Sequence, residues 1–224
     1  MEAVKTMRYY ISDLHFYHQN LLTRMDKRGF QTVEEMHDHM ISQWNSRVRK
    51  NDEVIILGDL CFTSDGEKAN EIISQLKGRK YLITGNHDYY LSSKTFDLSA
   101  FGWVEPYREM NDYGRKVILS HYPIICYNGQ YRTDSEGNPK VYMLYGHVHN
   151  TYDEFLVNQF QTITRNSVRT NDHTGQEFSI PCNMINCFCM FSDYIPLTLD
   201  EWIDVDRKRR EAMTSPGQEK SVNE

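Results

Sequence analysis

The sequence predicts an α/β domain in which helices pack on a β-sheet. Two observations predict it. Five short runs rich in β-branched and aromatic residues each end in a polar residue or a glycine, as buried strands do. Helix-capping patterns lie between and after these runs, so strands and helices alternate along the chain. The strand-like runs are residues 8–13, 53–59, 80–86, 116–121 and 141–147.

Three helices are predicted from a serine or threonine followed three residues later by a glutamate, the capping-box pattern. Thr32 precedes the first helix, and Ser64 precedes the second, which is predicted to end at Gly78. Thr198 precedes the last helix. With 224 residues, the chain can form one sizeable core but is short for two.

Three segments depart from this alternation. Residues 127–140 are rich in turn residues and predict a long loop or an exposed hairpin. Residues 150–180 are polar and predict irregular loop and hairpin. Residues 207–224 lack core-forming side chains and predict a polar, disordered tail, which leaves a single domain over residues 1–206.

Composition restricts the class of protein. Hydrophobic residues make up 39% and charged residues 25% of the chain, as in soluble globular domains. No apolar run is long enough to cross a bilayer, and five cysteines without paired spacing do not form a disulfide framework. We therefore expect a cytoplasmic protein without membrane contact. The net charge of −6 argues against an extended nucleic-acid partner, but a small phosphorylated substrate is compatible if cations are supplied locally.

Each of the five strand-like runs ends in side chains that bind metal ions. Open α/β sheets place their sites at the carboxyl ends of strands, so these side chains are predicted to converge. Side chains two apart in an extended chain point to the same side, which predicts that His147 and His149 face one common point. Glycines at three of the ends allow the backbone to turn sharply. The polar residues are Asp13, His15, Asp59, Asn86, His87, Asp88, His121, His147 and His149.

In chain order these residues read D-x-H, G-D, G-N-H-D, H and G-H-x-H, over residues 13–149. This order resembles the signature of the calcineurin-like metallophosphoesterase superfamily. The opening ISDLHFYHQN is most similar to small stand-alone bacterial and phage phosphoesterases. The resemblance implies a layered β-sheet sandwich flanked by α-helices, which holds two divalent or mixed-valence metal ions.

The resemblance also implies a role for each ligand. Oxygen and imidazole ligands without thiolate suit Mn, Fe, Zn, Ni or Co. Two such ions activate a hydroxide and clamp the oxygens of an in-line phosphoryl displacement. The implied ligands are Asp13, His15 and His149 for one ion, Asn86, His121 and His147 for the other, and Asp59 as the catalytic bridge.

His87 cannot point in the same direction as its neighbour Asn86, and we predict that it is the general acid. A hydrogen-bond partner of a metal ligand is the alternative. Protein-phosphatase members follow the bridging aspartate with a second aspartate, which orients this histidine, and a phosphate-gripping arginine. Here residues 61–63 are Cys, Phe and Thr, so Asp88 is predicted to orient His87 instead.

The missing arginine argues against a phosphoprotein phosphatase, because its planar fork matches a terminal phosphate. We therefore predict a phosphodiesterase acting on a small soluble, nucleotide-like substrate. A nuclease for short oligonucleotides, a phosphomonoesterase and a non-catalytic scaffold of the same fold are the alternatives.

Four other features near the motifs stay open or have a structural interpretation. His18 either contacts substrate at the mouth of the cleft or caps the helix that begins near Asn20. Arg28 either contacts phosphate or is a solvated surface charge. The loop 127–140 either sets specificity through its aromatic residues or binds no ligand. Cysteines 182, 187 and 189 are interpreted as core thiols rather than metal ligands.

Overall fold

The computed structural model describes residues 6–214, and these form alternating strands and helices. Three of the helices follow the predicted capping patterns. The helices are α1 (Val33–Arg47), α2 (Gly66–Gln75), α3 (Tyr152–Asn166) and α4 (Leu199–Thr214). The strands are β1 (Arg8–Ile11), β2 (Glu53–Ile56), β3 (Arg79–Ile83), β4 (Phe101–Glu105), β5 (Tyr107–Asp112), β6 (Arg115–Ser120), β7 (Val141–Tyr145), β8 (Arg169–Thr170), β9 (Glu177–Phe178) and β10 (Met184–Asn186).

The strands form two four-stranded sheets and one short hairpin. The first sheet has the order β1-β2-β3-β4 and is parallel throughout. The second has the order β10-β7-β6-β5, in which only β5 runs antiparallel to its neighbour. β8 and β9 pair as the hairpin. The five strands predicted from the sequence are β1, β2, β3, β6 and β7, and all five are confirmed.

The two sheets pack face to face around apolar side chains from both, including Tyr10, Ile55 and Leu144. The opposite face of the first sheet packs on α1 and α2, where Trp44 is fully buried. The opposite face of the second sheet packs on α3. In α4, Trp202 Nε1 donates a 2.8 Å hydrogen bond to the carbonyl oxygen of β1 residue Tyr10. The expected layered sandwich flanked by helices is confirmed.

The helix caps follow the sequence with one displacement. Thr32 Oγ1 accepts a hydrogen bond from the Glu35 amide at 3.1 Å, and Thr198 begins α4 as predicted. The second helix is capped by Asp65 rather than Ser64, because the Asp65 carboxylate accepts from two amides of the first turn. It ends at Gln75, before Gly78, which lies in the turn that leads into β3.

The prediction of irregular structure over residues 150–180 is wrong in its first half. Residues 152–166 form α3, which Thr151 caps by accepting from the Asp153 amide at 3.3 Å. Its four buried side chains are polar, and only the partly buried Val157 and Phe160 add apolar contacts to the core. The hairpin of β8 and β9 is as predicted, and so is the loop 127–140. The three C-terminal cysteines are buried core thiols.

The prediction of a disordered tail is wrong for residues 207–214, which complete α4. Arg209 forms a 3.0 Å ion pair with Glu154 of α3, and Arg210 forms a 2.7 Å ion pair with Asp206. The predicted boundary at residue 206 therefore falls inside a helix, and residues 215–224 lie outside the described part of the chain. No helix within residues 6–214 is long and apolar enough to cross a membrane.

Candidate metal centre

The predicted ligands lie at the carboxyl ends of strands in both sheets, and five of them have left-handed backbone conformations. Each such residue costs about 1 kcal/mol relative to ordinary conformations, and such strain is concentrated at functional sites. The D-x-H and H-x-H pairs are therefore not extended, and their side chains converge through tight turns rather than strand alternation. The positive φ angles are 56° at Asp13, 51° at His15, 54° at Asp59, 70° at His147 and 47° at His149.

Glycines leave the space in which these ligands lie. Gly58, with φ +90°, provides the sharp turn that the sequence predicts. Gly85 and Gly146 do not have positive φ angles. A Cβ at Gly85 would lie 2.1 Å from Asp59 Oδ1, and one at Gly146 would lie 2.5 Å from Asp13 Oδ2. These two glycines are thus required for close approach rather than for turning.

One set of ligand atoms comes from the first sheet and the loop after β7. His15 Nε2 lies 3.2 Å from His149 Nε2 and 3.4 Å from Asp59 Oδ2. His149 Nε2 lies 3.6 Å from Asp13 Oδ1. All four residues are buried, with at most 3% of their surface exposed. Asp13, His15 and His149 could together hold one metal ion.

A second set surrounds Asn86. Its Oδ1 lies 3.0 Å from His121 Nε2 and 2.9 Å from His147 Nδ1. His121 Nε2 is also 3.4 Å from Asp59 Oδ2, the oxygen that lies 3.4 Å from His15 of the first set. Asp13, Asp59 and His121 also offer atoms within 4.8 Å of one another. The seven side chains predicted as ligands are therefore gathered in one place.

The donor atoms themselves fit cations. His121 Nδ1 is 2.8 Å from the carbonyl oxygen of Leu57, which can only accept, so the ring proton is on Nδ1. Nε2 then faces the Asn86 and Asp59 oxygens, where it carries a proton in the metal-free protein or, once that proton is lost, a lone pair for a metal ion. Metal-binding imidazoles show this arrangement, with the outward nitrogen held by a carbonyl or carboxylate. The oxygens around Nε2 stabilise a positive charge at this position, whether it is a proton or a metal ion.

The pKa values of the imidazoles differ within the cluster. Burial and then the charge of His149 hold the pKa of His15 well below its usual value, and burial and His121 lower that of His147. Burial also disfavours the charged form of His121, but its hydrogen bond to Asp59 and the nearby carboxylates outweigh this and raise its pKa to about 9. A metal ion at His121 must therefore displace a proton.

A family model described as calcineurin-like phosphoesterase matches residues 9–205. The chain belongs to this family. The uncharacterised protein MJ1445 of Methanocaldococcus jannaschii is 35% identical over 149 residues, which are 66% of this chain and 72% of that protein. The gene 66 protein of Mycobacterium phage L5 is 30% identical over 168 residues, covering 63% of this chain and 76% of that protein.

The protein of unknown function AQ665 from Aquifex aeolicus, known from a crystal structure, shares the fold. Its TM-score is 0.60 at 22% sequence identity, covering 89% of this chain and 98% of that one. Membership of the calcineurin-like family identifies this chain as a metal-dependent phosphoester hydrolase.

In this metallophosphoesterase, Asp26 and Arg28 lie behind the candidate ligands Asp13 and His149. Asp26 Oδ1 accepts from His149 Nδ1 at 2.7 Å, and its other oxygen is 2.9 Å from the Arg28 guanidinium. The guanidinium also donates to the carbonyl oxygens of Asp13, at 2.9 Å, and Leu14, at 2.6 Å. The Arg28 side chain is 0% exposed. Both predictions for Arg28, phosphate contact and a solvated charge, are therefore wrong, and it fixes the D-x-H turn instead.

Asp88 does not orient His87, so that prediction is also wrong. Its carboxylate accepts from the backbone amides of Gly85 and Leu60, each at 2.8 Å, and of Asp59 at 3.0 Å. Burial and the charge of Asp59 raise the pKa of Asp88 to about 6. Asp88 thus fixes the two loops that carry Asp59 and Asn86 relative to each other.

Tyr89, rather than Asp88, contacts the ring of His87. Its hydroxyl lies 3.1 Å from His87 Nδ1, and the His87 amide donates to Asp59 Oδ1 at 2.8 Å. No motif in the sequence indicates Tyr89, although it lies only two residues after His87.

His18 lies at the edge of the same cluster. Its ring stacks on Phe62, with centroids 3.8 Å apart, and its Nδ1 is 3.4 Å from His15 Nδ1. It is the N-cap residue of the short 3₁₀ helix Gln19–Leu21, where its carbonyl oxygen accepts from the Leu21 amide at 3.1 Å, but its side chain makes no capping hydrogen bond.

Proposed function

We propose that this metallophosphoesterase hydrolyses a phosphodiester bond of a small, nucleotide-like substrate with two metal ions, in the cytoplasm. The observation that carries the proposal is the position of Asp59 Oδ2, 3.4 Å from an imidazole of each ligand set. A single carboxylate between two sets of ligands is suited to a pair of ions rather than to one.

A bound pair of divalent ions supplies a nucleophilic hydroxide at neutral pH and neutralises charge on the phosphate. The chain supplies the proton for the leaving group. With Nδ1 next to the Tyr89 hydroxyl, Nε2 of His87 is the nitrogen available to a substrate. As the new P–O bond forms and the bond to the leaving oxygen breaks, we assign His87 Nε2 to donate a proton to that oxygen.

The preference for diesters is supported by the residues after Asp59. Cys61 is fully buried, and Phe62 stacks on His18. The guanidinium of Arg28 is bound to backbone carbonyl oxygens and to Asp26. None of these side chains offers a fork of donors to a terminal phosphate dianion. A diester carries one fewer negative charge and needs that fork less.

A nucleotide-like substrate is supported by two exposed phenol rings beside the ligands. Tyr89 is 52% exposed next to His87, and Tyr122 is 49% exposed with its ring 4.4 Å from that of His147. Stacking of a base on an aromatic side chain contributes about 1–3 kcal/mol. We therefore assign the two tyrosines, with His18, to the substrate-binding surface.

The test compares a model diester with a model monoester after loading with Mn²⁺. Bis-p-nitrophenyl phosphate should be turned over with at least about tenfold higher kcat/KM than p-nitrophenyl phosphate, and Asp59→Asn should abolish both activities. Asp204→Asn, a carboxylate exposed on α4, is the matched control and should leave turnover unchanged. Faster monoester turnover, or full activity in Asp59→Asn, would contradict the proposal. A panel of cyclic and linear nucleotides then identifies the substrate.

A further inference from the structure

Helix α3 buries polar side chains and exposes large apolar ones, although Val157 and Phe160 pack on the core. Its inward side chains are polar: Glu154 accepts from Tyr145 Oη at 2.8 Å, and Gln161 Oε1 accepts from the Met184 amide at 2.9 Å. Four large apolar side chains project from the opposite face, together with exposed polar residues such as Gln159. A surface helix normally buries its apolar face, so the outer face of α3 is suited to being covered.

The β8–β9 hairpin follows the end of α3 and pairs Arg169 with Phe178, so two more exposed apolar side chains lie next to this end of the helix. We call the six side chains together the α3 stripe. Its six apolar side chains expose on the order of 600 Å², taking roughly 200 Å² for each whole side chain. A patch of this size is at the upper end for monomers, and two such patches exceed the roughly 1,000 Å² that a specific interface needs. The stripe consists of Tyr152 (60% exposed), Phe155 (47%), Leu156 (48%), Ile163 (64%), Val168 (65%) and Phe178 (42%).

We propose that the α3 stripe is the interface of a homodimer, in which two copies of α3 pack antiparallel about a two-fold axis. Such an axis places the same patch on both subunits and brings opposite ends of the two helices together. The exposed Asp153 lies at the start of α3, and the exposed Arg169 follows its end. The antiparallel pair therefore brings the acid of each subunit towards the base of the other.

Other occupants fit the stripe less well. The chain segments outside the described residues are MEAVK at the start and SPGQEKSVNE at the end, and they offer too few apolar side chains to cover six. An anionic membrane surface is disfavoured, because Asp153, Asp172 and Glu177 lie on or next to the stripe and are exposed. A second copy supplies the apolar area, and its Arg169 supplies the base that faces Asp153.

The first test is the mass of the full-length protein, measured by sedimentation velocity between about 1 and 50 µM. Wild type should have twice the mass of the chain. The double variant Leu156→Glu/Ile163→Glu should be monomeric, because four carboxylates would be buried in the interface. Leu98→Glu is the matched control, since Leu98 is 56% exposed outside the stripe, and it should remain dimeric.

The second test addresses the antiparallel arrangement. Asp153→Arg and Arg169→Asp should each raise the dimer dissociation constant about fivefold or more, and the double variant should restore it. Circular dichroism melting of each variant checks that the subunits are folded. A monomeric wild type, a dimeric Leu156→Glu/Ile163→Glu variant, or single reversals whose effects simply add would each overturn the proposal. Binding of wild type to phosphatidylserine vesicles in place of self-association would overturn it too.

Discussion

Replacement of Asp26 by asparagine tests whether a residue that is not itself a candidate ligand stabilises the metal centre. Asp26 touches neither ion site directly, yet it connects two of the ligand-bearing turns through His149 and Arg28. Asparagine keeps the shape of the side chain and removes its charge. Arg28, whose side chain is 0% exposed, then has no counter-ion.

The magnitude follows from the burial of this ion pair. Leaving one charge of a buried pair without its partner costs roughly 3–5 kcal/mol, and the two carbonyl oxygens that Arg28 retains place this case near about 3 kcal/mol. For a domain of this size, that lowers Tm by about 6–12 °C. Loss of the carboxylate behind a metal-binding histidine also weakens metal affinity by about 10–100-fold.

The assay is thermal unfolding of the metal-free protein, together with calorimetric titration of Mn²⁺. Asp193→Asn is the control: this carboxylate pairs with His39 but is 66% exposed, so its loss should change stability by less than about 0.5 kcal/mol. If Asp26→Asn melts within about 1 °C of wild type and binds Mn²⁺ equally well, the assignment of Asp26 and Arg28 as supports of the site is refuted.

Three further predictions concern the site itself. Tyr89→Phe should lower kcat by roughly fivefold and shift the basic limb of the pH–rate profile, because the variant loses the hydroxyl at His87 Nδ1. Metal content should stay constant, and an unchanged pH–rate profile counts against the contact between Tyr89 and His87. Gly146→Ala should reduce metal binding, since its Cβ would lie 2.5 Å from Asp13 Oδ2, and undiminished Mn²⁺ affinity would show that the turn can relax. The pKa of His121 is raised to about 9, so its protonated form stabilises the metal-free fold fully below about pH 6.5, and this contribution is lost as pH rises through 9. Apparent Mn²⁺ affinity should increase over the same pH range, and an affinity that does not change with pH argues against proton displacement.

The sequence was sufficient to bring the candidate ligands together, because each follows a local pattern. A strand, a glycine and a polar residue together determine where the carboxyl end of the strand lies, so seven side chains could be placed without contact information. The geometric reason was only partly correct. His147 and His149 converge because both have left-handed backbones, not because the chain is extended between them.

Supporting residues could not be predicted in this way. Arg28 resembles any surface arginine in sequence, and only the fold brings it to the carbonyl oxygens of Asp13 and Leu14. Helix α3 was missed for a different reason. Its apolar side chains do recur at helical spacing, but the side chains that it buries are polar. The segment is therefore typical of a polar loop when only the sequence is considered. A capping threonine at position 151 was the available signal.

The left-handed turns at five ligand-bearing residues have a consequence for how this enzyme would evolve in the laboratory. At about 1 kcal/mol each, they total about 5 kcal/mol, which is comparable to the whole stability of a marginal domain. Glycine at any of these positions relieves the distortion but removes a candidate ligand. Screening a library for heat resistance alone should therefore enrich inactive variants at these positions, so any thermostabilisation campaign must select for turnover in the same round.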